Sequence, residues 1–356
     1  MNSKHSSSIS CWNMTEDTID ASGSCKGNMT EDTTYPSQNI SIAVLLCLVL
    51  LLGLLLNLFS MWVFMRRMPK WKPGTILQFH LAISDAVICP LAPFIAVYFA
   101  QGGNWPFGSL MCRLKIVLLT VHFYGSIIFL TLISIQRYVC VVYHNQDSCW
   151  KQKYFVKRFC AGVWLAVLIK AIVCSMLLDI SCVGNHTVCL SIHQAKNIEV
   201  YFIINFILLF PGFLLPFTIS LYCYIRLAQS VSSLNDCHQQ GRLIKSKSHR
   251  MVAICMVIFG ICFLPMNVVR TVVVVVKKYF ANNCGLLLHV ETAYYVSWIL
   301  SSANCCLDPL IYCFSSKNFT RAIHSSLRKI GARIQTPGQV QEQDSAINPP
   351  ITHYDT

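Results

Sequence analysis

Charge is what this chain has least of: Asp, Glu, Lys and Arg together make up 12% of its 356 residues, 15 acids against 28 bases. A soluble domain covers its surface with about a quarter of its residues charged. A soluble enzyme is therefore excluded, and 54% hydrophobic residues exclude a disordered chain as well. The alternating pattern of membrane β-strands is also missing, which removes a barrel. What remains has a mean hydropathy of +0.53, so its apolar surface must face something other than water. In such a chain the formal charge of +13 reports topology rather than nucleic-acid binding, because Lys and Arg sort to one side of a bilayer.

Seven apolar runs are long enough to span roughly 30 Å of hydrocarbon as helices. They lie near 40–66, 74–100, 109–143, 155–178, 199–229, 246–277 and 287–314. Each is expected to be helical, since backbone polar groups in lipid must be satisfied within the segment. The fold class is thus an all-α membrane protein, a seven-transmembrane helix bundle over 40–314 with an extracellular tail over 1–39.

Basic residues set the orientation. Arg66, Arg67, Lys70 and Lys72; Arg137, Lys151, Lys153, Lys157 and Arg158; Arg226, Arg242, Lys245, Lys247 and Arg250; and Lys317, Arg321, Arg328, Lys329 and Arg333 all fall on the side of the C-terminus. The positive-inside rule places that side in the cytosol and the N-terminus outside. Glycosylation sequons at Asn13, Asn28, Asn39 and Asn185 fall on the expected outer side. A fifth, at Asn318, falls inside and is discounted. The tail before Ser41 is polar and acidic, with Asn-Met-Thr-Glu-Asp-Thr occurring twice, and reads as a disordered glycosylated segment. No cleavable signal pattern precedes the first span, which is expected to act as its own insertion signal. Six of the 19 cysteines lie outside: Cys11, Cys25, Cys112, Cys182, Cys189 and Cys284. They permit full pairing in fifteen ways. They contain no Cys-x-x-Cys pair, which argues against a structural metal.

Ionisable residues within spans are costly and usually face the protein interior. Asp85 and Asp308 lie about midway in the second and seventh spans, with Asn304 one turn before Asp308. With Asn57 and Ser126 they are expected to form one polar cluster, serving either as hydrogen-bonding glue between helices or in conformational switching. The cluster is also a candidate site for a sodium ion; no other cofactor is implied.

At this point the chain resembles a class A, rhodopsin-like G-protein-coupled receptor, and the resemblance extends over all seven spans. It rests on Leu81-Ala-Ile-Ser-Asp85 in the second span, Trp105-Pro-Phe-Gly108 followed by Cys112, and Arg137-Tyr138 twenty-five residues later. It continues through Trp164, Pro216 with Tyr224, Phe259 with Cys262-Phe-Leu-Pro265, and Asp308-Pro309-Leu-Ile-Tyr312. The resemblance implies an amphipathic eighth helix over 315–334, beginning near Phe319, and a cytosolic tail over 335–356. It implies residence in the plasma membrane, with a heterotrimeric G protein and arrestin as partners. Arg137, Tyr138, Tyr224, Phe259, Pro265 and Tyr312 would form the activation switch, with Pro265 and Pro309 supplying hinges because an interior proline removes a backbone hydrogen bond. Cys112 matches the cysteine that ties the third helix to the second outer loop, with Cys189 preferred over Cys182 as its partner. Cys284 matches a third-loop cysteine that pairs with the tail, with Cys25 preferred over Cys11.

Departures from the family pattern narrow the reading. Gln136 stands where an acid usually precedes the arginine, and Lys245 where some members carry an acid. A looser resting state with basal signalling is therefore expected. Asp308 replaces the common Asn, as in the branch with purinergic nucleotide, leukotriene and lysophospholipid receptors. Leu119 replaces the ammonium-binding Asp of amine receptors. Arg113, Lys115, Lys170, Lys196, Arg270, Lys277 and Lys278 outnumber Asp179, Glu199 and Glu291 in the outer half, which favours an anionic ligand, a lysophospholipid or a nucleotide.

Arg270 faces the bundle interior by helical phase and suits phosphate or carboxylate. Asn267 stands where purinergic-like receptors place a His, and Trp298 where several anion receptors place a base. Lys170 either compensates for the lost cations or snorkels outward. Lys115 is a further candidate, with Tyr98, Tyr124, Tyr295 and Trp298 as aromatic walls. The alternatives are a receptor with high basal activity or a peptide ligand and, in a different class, a multi-span transporter. The chain lacks the repeats expected of a transporter. An intramembrane aspartyl protease using Asp85 and Asp308 lacks its Gly-rich setting, and proton sensing by His122 or His289 is a remote further reading.

Overall fold

The computed structural model describes residues 36–68, 70–142, 148–177, 180–183, 186–189, 198–232, 239–280 and 283–315, together with 319–321, 323, 325 and 328. Six stretches of helix are long and apolar enough to cross a membrane: Ile40–Arg67, Pro73–Ala100, Gly108–Val141, Lys153–Leu177, Tyr201–Val231 and Leu243–Tyr279. In helical elements these are α1 (Pro36–Arg67), α2 with α3 (Pro73–Ala86, Ala92–Ala100), α4 (Gly108–Val141), α5 (Lys153–Leu177), α6 with α7 (Ile198–Leu209, Leu215–Ser232), and α8 with α9 (Gln239–Ile258, Leu264–Tyr279). The seventh span is divided into α10 (Cys284–Ser302) and α11 (Asn304–Ser315). α4 is the central helix: 67% of its most apolar window is buried, against 28% for α1 and α5. The peripheral helices leave Leu55, Leu165 and Ile207 exposed, as expected for surfaces that face lipid.

Prolines account for most of the divisions. Pro90 and Pro93 flank the tight turn Cys89–Leu91 between α2 and α3. Pro211 sits inside a wide turn, Phe210–Leu214, between α6 and α7, and Pro265 follows another, Phe259–Phe263, between α8 and α9. A proline cannot donate to the carbonyl four residues back, and a wide turn accommodates the lost bond. The two wide turns face each other: Phe213 in one and Phe259 in the other have ring centroids 6.3 Å apart, and Phe217 lies 6.0 Å from Phe259. The α10–α11 break falls at Ala303, where the Cys306 N–H donates to the Ala303 carbonyl. The Asn57 side chain closes that break by donating to the Cys305 carbonyl at 2.7 Å and to Gly53 at 2.9 Å.

One element departs from the all-α expectation. Strands β1 (Ile180–Val183) and β2 (His186–Cys189) form an antiparallel hairpin in which Ile180 pairs with Cys189 and Val183 with His186. The two-residue connection Gly184-Asn185 between β-branched runs was the signal for it. The hairpin is tied down by the Trp105 N–H donating to the Thr187 carbonyl and the Thr187 N–H to Asn104 Oδ1. It is also held by a disulfide, Cys112–Cys189, which is the preferred pairing. Cys25 lies outside the described residues, as does the Cys284 side chain, and so do Asn13, Asn28, Asn185 and the side chain of Asn39.

Candidate functional site

At the end of the bundle that carries the disulfide, the sequence-selected residues separate into two groups. The first is centred on Arg270 of α9. Its Nε donates to Asn205 Oδ1 of α6 at 3.0 Å, and both Nη atoms donate to the Tyr124 hydroxyl of α4 at 3.2 Å. Asn205 in turn donates to Thr271 Oγ1. Lys170 of α5 turns inward, its Nζ 3.0 Å from the centroid of the Tyr124 ring, rather than snorkelling away from it. Room for this arrangement comes from Gly212 in the wide turn: a Cβ there would stand 2.7 Å from Tyr124 Cε1 and 3.1 Å from Lys170 Nζ. Two cations thus converge on one neutral phenol. Among the described residues, neither forms an ion pair with a carboxylate.

The second group surrounds Lys115, which is buried. Its Nζ donates to the Cys189 carbonyl at 3.2 Å and lies over the rings of Trp105, Tyr98 and Trp298 at 4.8, 5.0 and 5.6 Å. Tyr98 and Trp298 therefore wall in Lys115 rather than Arg270. Tyr295 packs on Phe99 in the same cluster. Asn267 joins neither group: its Nδ2 donates to the Phe263 carbonyl at 2.8 Å, and its buried Oδ1 has no hydrogen-bond partner. The 267–270 pair thus does not act as one unit. Asn205 and Gly212 were missed in the sequence. A lone Asn in the apolar run 202–210 was the available signal, whereas nothing local marks Gly212.

Midway along the bundle the Ser126 hydroxyl donates to Asp85 Oδ1 at 2.8 Å, and Asn304 Nδ2 donates to Asp308 Oδ2 at 3.4 Å. His122 Nδ1 lies 3.8 Å from Asp85 Oδ1 and 3.3 Å from the Ser84 carbonyl. Asp85 Oδ2, Asn304 Oδ1 and Asp308 Oδ1 are buried acceptors without a hydrogen-bond partner. They are hard oxygen donors of the kind an alkali or alkaline-earth cation takes. Among the described residues no group of three His, Cys, Asp or Glu side chains is placed to hold a metal.

At the opposite, basic end, Arg137 packs beside the start of α2, where a Cβ on Gly74 would stand 3.2 Å from both Arg137 Nη2 and Gln136 Oε1. The Gln136 amide turns to Cys140 Sγ. Tyr138 meets the ring of Tyr222, and Tyr224 of α7 stacks on His249 of α8, with centroids 4.9 Å apart and planes at 22°. Tyr312 is fully buried, its ring against Phe64 and Phe319. Phe319 lies in the short helical piece 319–321. Pro265 and Phe259 bracket the wide turn of the sixth span, so the hinge and the residues it would move are contiguous.

The comparisons agree with this architecture. The family model "7 transmembrane receptor (rhodopsin family)" matches residues 56–312, well over half of the chain. Purinoceptor 2 of Rattus norvegicus is 31% identical over 299 residues, covering 83% of this chain and 78% of the relative. Human purinoceptor 2 is 30% identical over 318 residues, 88% and 82% of the two chains. The 2-oxoglutarate receptor 1 of Rattus norvegicus is 28% identical over 289 residues, 81% and 84%. These relatives are receptors, not enzymes. With seven helices in order and the family's motifs placed along them, the chain belongs to the rhodopsin family of seven-transmembrane G-protein-coupled receptors.

Proposed function

We propose that this receptor responds to an extracellular anionic small molecule anchored by Arg270 and transmits its binding to a heterotrimeric G protein. The observation that carries the reading is the set of partners of Arg270. A guanidinium half-buried in a membrane protein is held only by an amide oxygen and a phenol, and an acidic ligand would supply the charge-assisted bonds it lacks. The names of the relatives fit this chemistry, since 2-oxoglutarate is a dicarboxylate. A lysophospholipid is the second reading, favoured by Lys170 lying half-exposed beside the outward-facing Ile169 and Val173.

In this reading the N-terminus is extracellular, the basic end faces the cytosol of the plasma membrane, and arrestin shares the G-protein surface. Binding shifts a two-state population by moving α9 about the wide turn at Phe259–Phe263. This separates Tyr224 from His249 and frees Arg137 and Tyr312 to form the crevice the G protein enters. The orphaned oxygens of Asp85, Asn304 and Asp308 would hold a sodium ion in the resting state. The test is a second-messenger screen of nucleotides, lysophospholipids and small carboxylates in cells expressing wild type or Arg270→Ala. Loss of response in the variant at equal surface expression is expected; a full response would overturn the anchor.

A further inference from the structure

The Arg270 group contains one more cation than an arginine anchor needs. Lys170 comes from α5, a helix with outward-facing Leu168, Ile169, Ile172 and Val173 on either side of it. A lysine there could send its ammonium towards a headgroup region. Instead its Nζ lies on the face of Tyr124, whose hydroxyl accepts from both terminal nitrogens of Arg270. Two like charges are therefore brought to one uncharged ring in a low-dielectric setting, where their mutual repulsion is weakly screened. Cation–π contact and two shared hydrogen bonds return only part of that cost. The arrangement is complementary to a group that carries two negative charges and accepts from both sides.

We propose that Lys170 and Arg270 form a clamp for a doubly negative acidic group, a phosphomonoester or a dicarboxylate, which takes over from the Tyr124 hydroxyl as the acceptor between them. The inference rests on the reading that Arg270 anchors the ligand, and adds its charge and its second partner. Arg270 offers the planar fork that meets two oxygens at once. Lys170 offers a single compact charge from the opposite side of the ring, so a monoanion satisfies one arm and leaves the other unpaired. Selectivity for dianions over monoanions of the same size follows. Gly212 enters the same device, because any larger residue would push Tyr124 or Lys170 out of register.

The experiment uses the full chain in nanodiscs of neutral phosphatidylcholine and follows its melting temperature at constant ionic strength against four probes. 2-oxoglutarate and 2-oxopentanoate differ by the second carboxylate; glycerol 3-phosphate and oleoyl lysophosphatidic acid present one phosphomonoester from water or from lipid. The dianionic probes should raise the melting temperature of the wild type, and 2-oxopentanoate should not. Lys170→Gln should weaken the dianion effect by about tenfold or more and bring it down to the monoanion's, while Lys170→Arg keeps the preference. Lys170→Met controls for packing on the ring.

Stabilisation by both phosphomonoesters would make the source a free anion; stabilisation by lysophosphatidic acid alone would make it a lipid, with the clamp chemistry upheld in either case. If Arg270→Ala abolishes binding but Lys170→Gln discriminates dianion from monoanion as the wild type does, the clamp is overturned and the anchor stands. If no dianionic probe stabilises the wild type, the clamp is overturned. If binding survives Arg270→Ala, the anchor falls too.

Discussion

Lys170 and Tyr124 meet face to charge, with the ammonium 3.0 Å from the ring centroid, and the contact exists only because residue 212 has no side chain. Gly212→Ala should therefore be poorly tolerated, since the added methyl would stand 2.7 Å from Tyr124 Cε1. Overpacking of this kind costs about 1–3 kcal/mol. Lower surface expression and a lower melting temperature are expected, with recovery on combining it with Tyr124→Leu. An alanine variant that matches wild type in both measurements would show that the fifth span is not packed as described.

The pairing of Tyr224 with His249 yields a prediction about basal signalling. Gln136 and Lys245 remove the carboxylates that elsewhere in the family restrain the third and sixth helices, so the stacked pair between α7 and α8 is left to hold them. Aromatic pairs contribute about 0.5–1.5 kcal/mol, enough for a several-fold change in a two-state population. His249→Ala should raise ligand-independent second-messenger production by that factor at equal surface expression. Unchanged basal output would remove the pair from the switch.

Lys115 gives a prediction of opposite sense. Desolvating a cation costs several kcal/mol, whereas three ring contacts and one carbonyl return about that much at best. Lys115→Met should thus leave the melting temperature unchanged or raise it, while weakening the response to an anionic agonist. A large fall in melting temperature would mean that the lysine is present for stability alone.

These three cases show what the sequence could and could not disclose. The seven spans were legible because an apolar run of bilayer length has few other uses, and the prolines at 90, 211 and 265 carry the signal for where helices break. Arg270 was legible by helical phase from Pro265. The direction of Lys170 was not, because α5 is apolar on every side and its phase gives no inward face. Nor was the aromatic cage of Lys115, whose walls come from residues 98, 105 and 298 and converge only in the folded bundle. His249 lay within a basic run that reads as a solvated face, and its stacking depends on the register between two spans. The wide turns and the Gly184-Asn185 hairpin are local, yet their signals are short enough to be lost beside the helical ones.

The polar cluster supports a fourth prediction. If the unpartnered oxygens of Asp85, Asn304 and Asp308 take a sodium ion, replacing sodium by choline at constant ionic strength should lower the melting temperature of the ligand-free receptor, since a bound ion stabilises the state that holds it. Asp85→Asn should abolish the difference. Equal sodium sensitivity in the variant would place the ion elsewhere.

The central claim is that an anion held by Arg270 drives G-protein activation. It is tested most directly by guanine-nucleotide exchange on purified G proteins with the receptor in nanodiscs, titrated with nucleotides, 2-oxoglutarate and lysophosphatidic acid. The account predicts that one of these anions accelerates exchange with wild type, and that Arg270→Ala shifts the titration by about a hundredfold or abolishes it. An anion-dependent acceleration that is the same in the variant would contradict it.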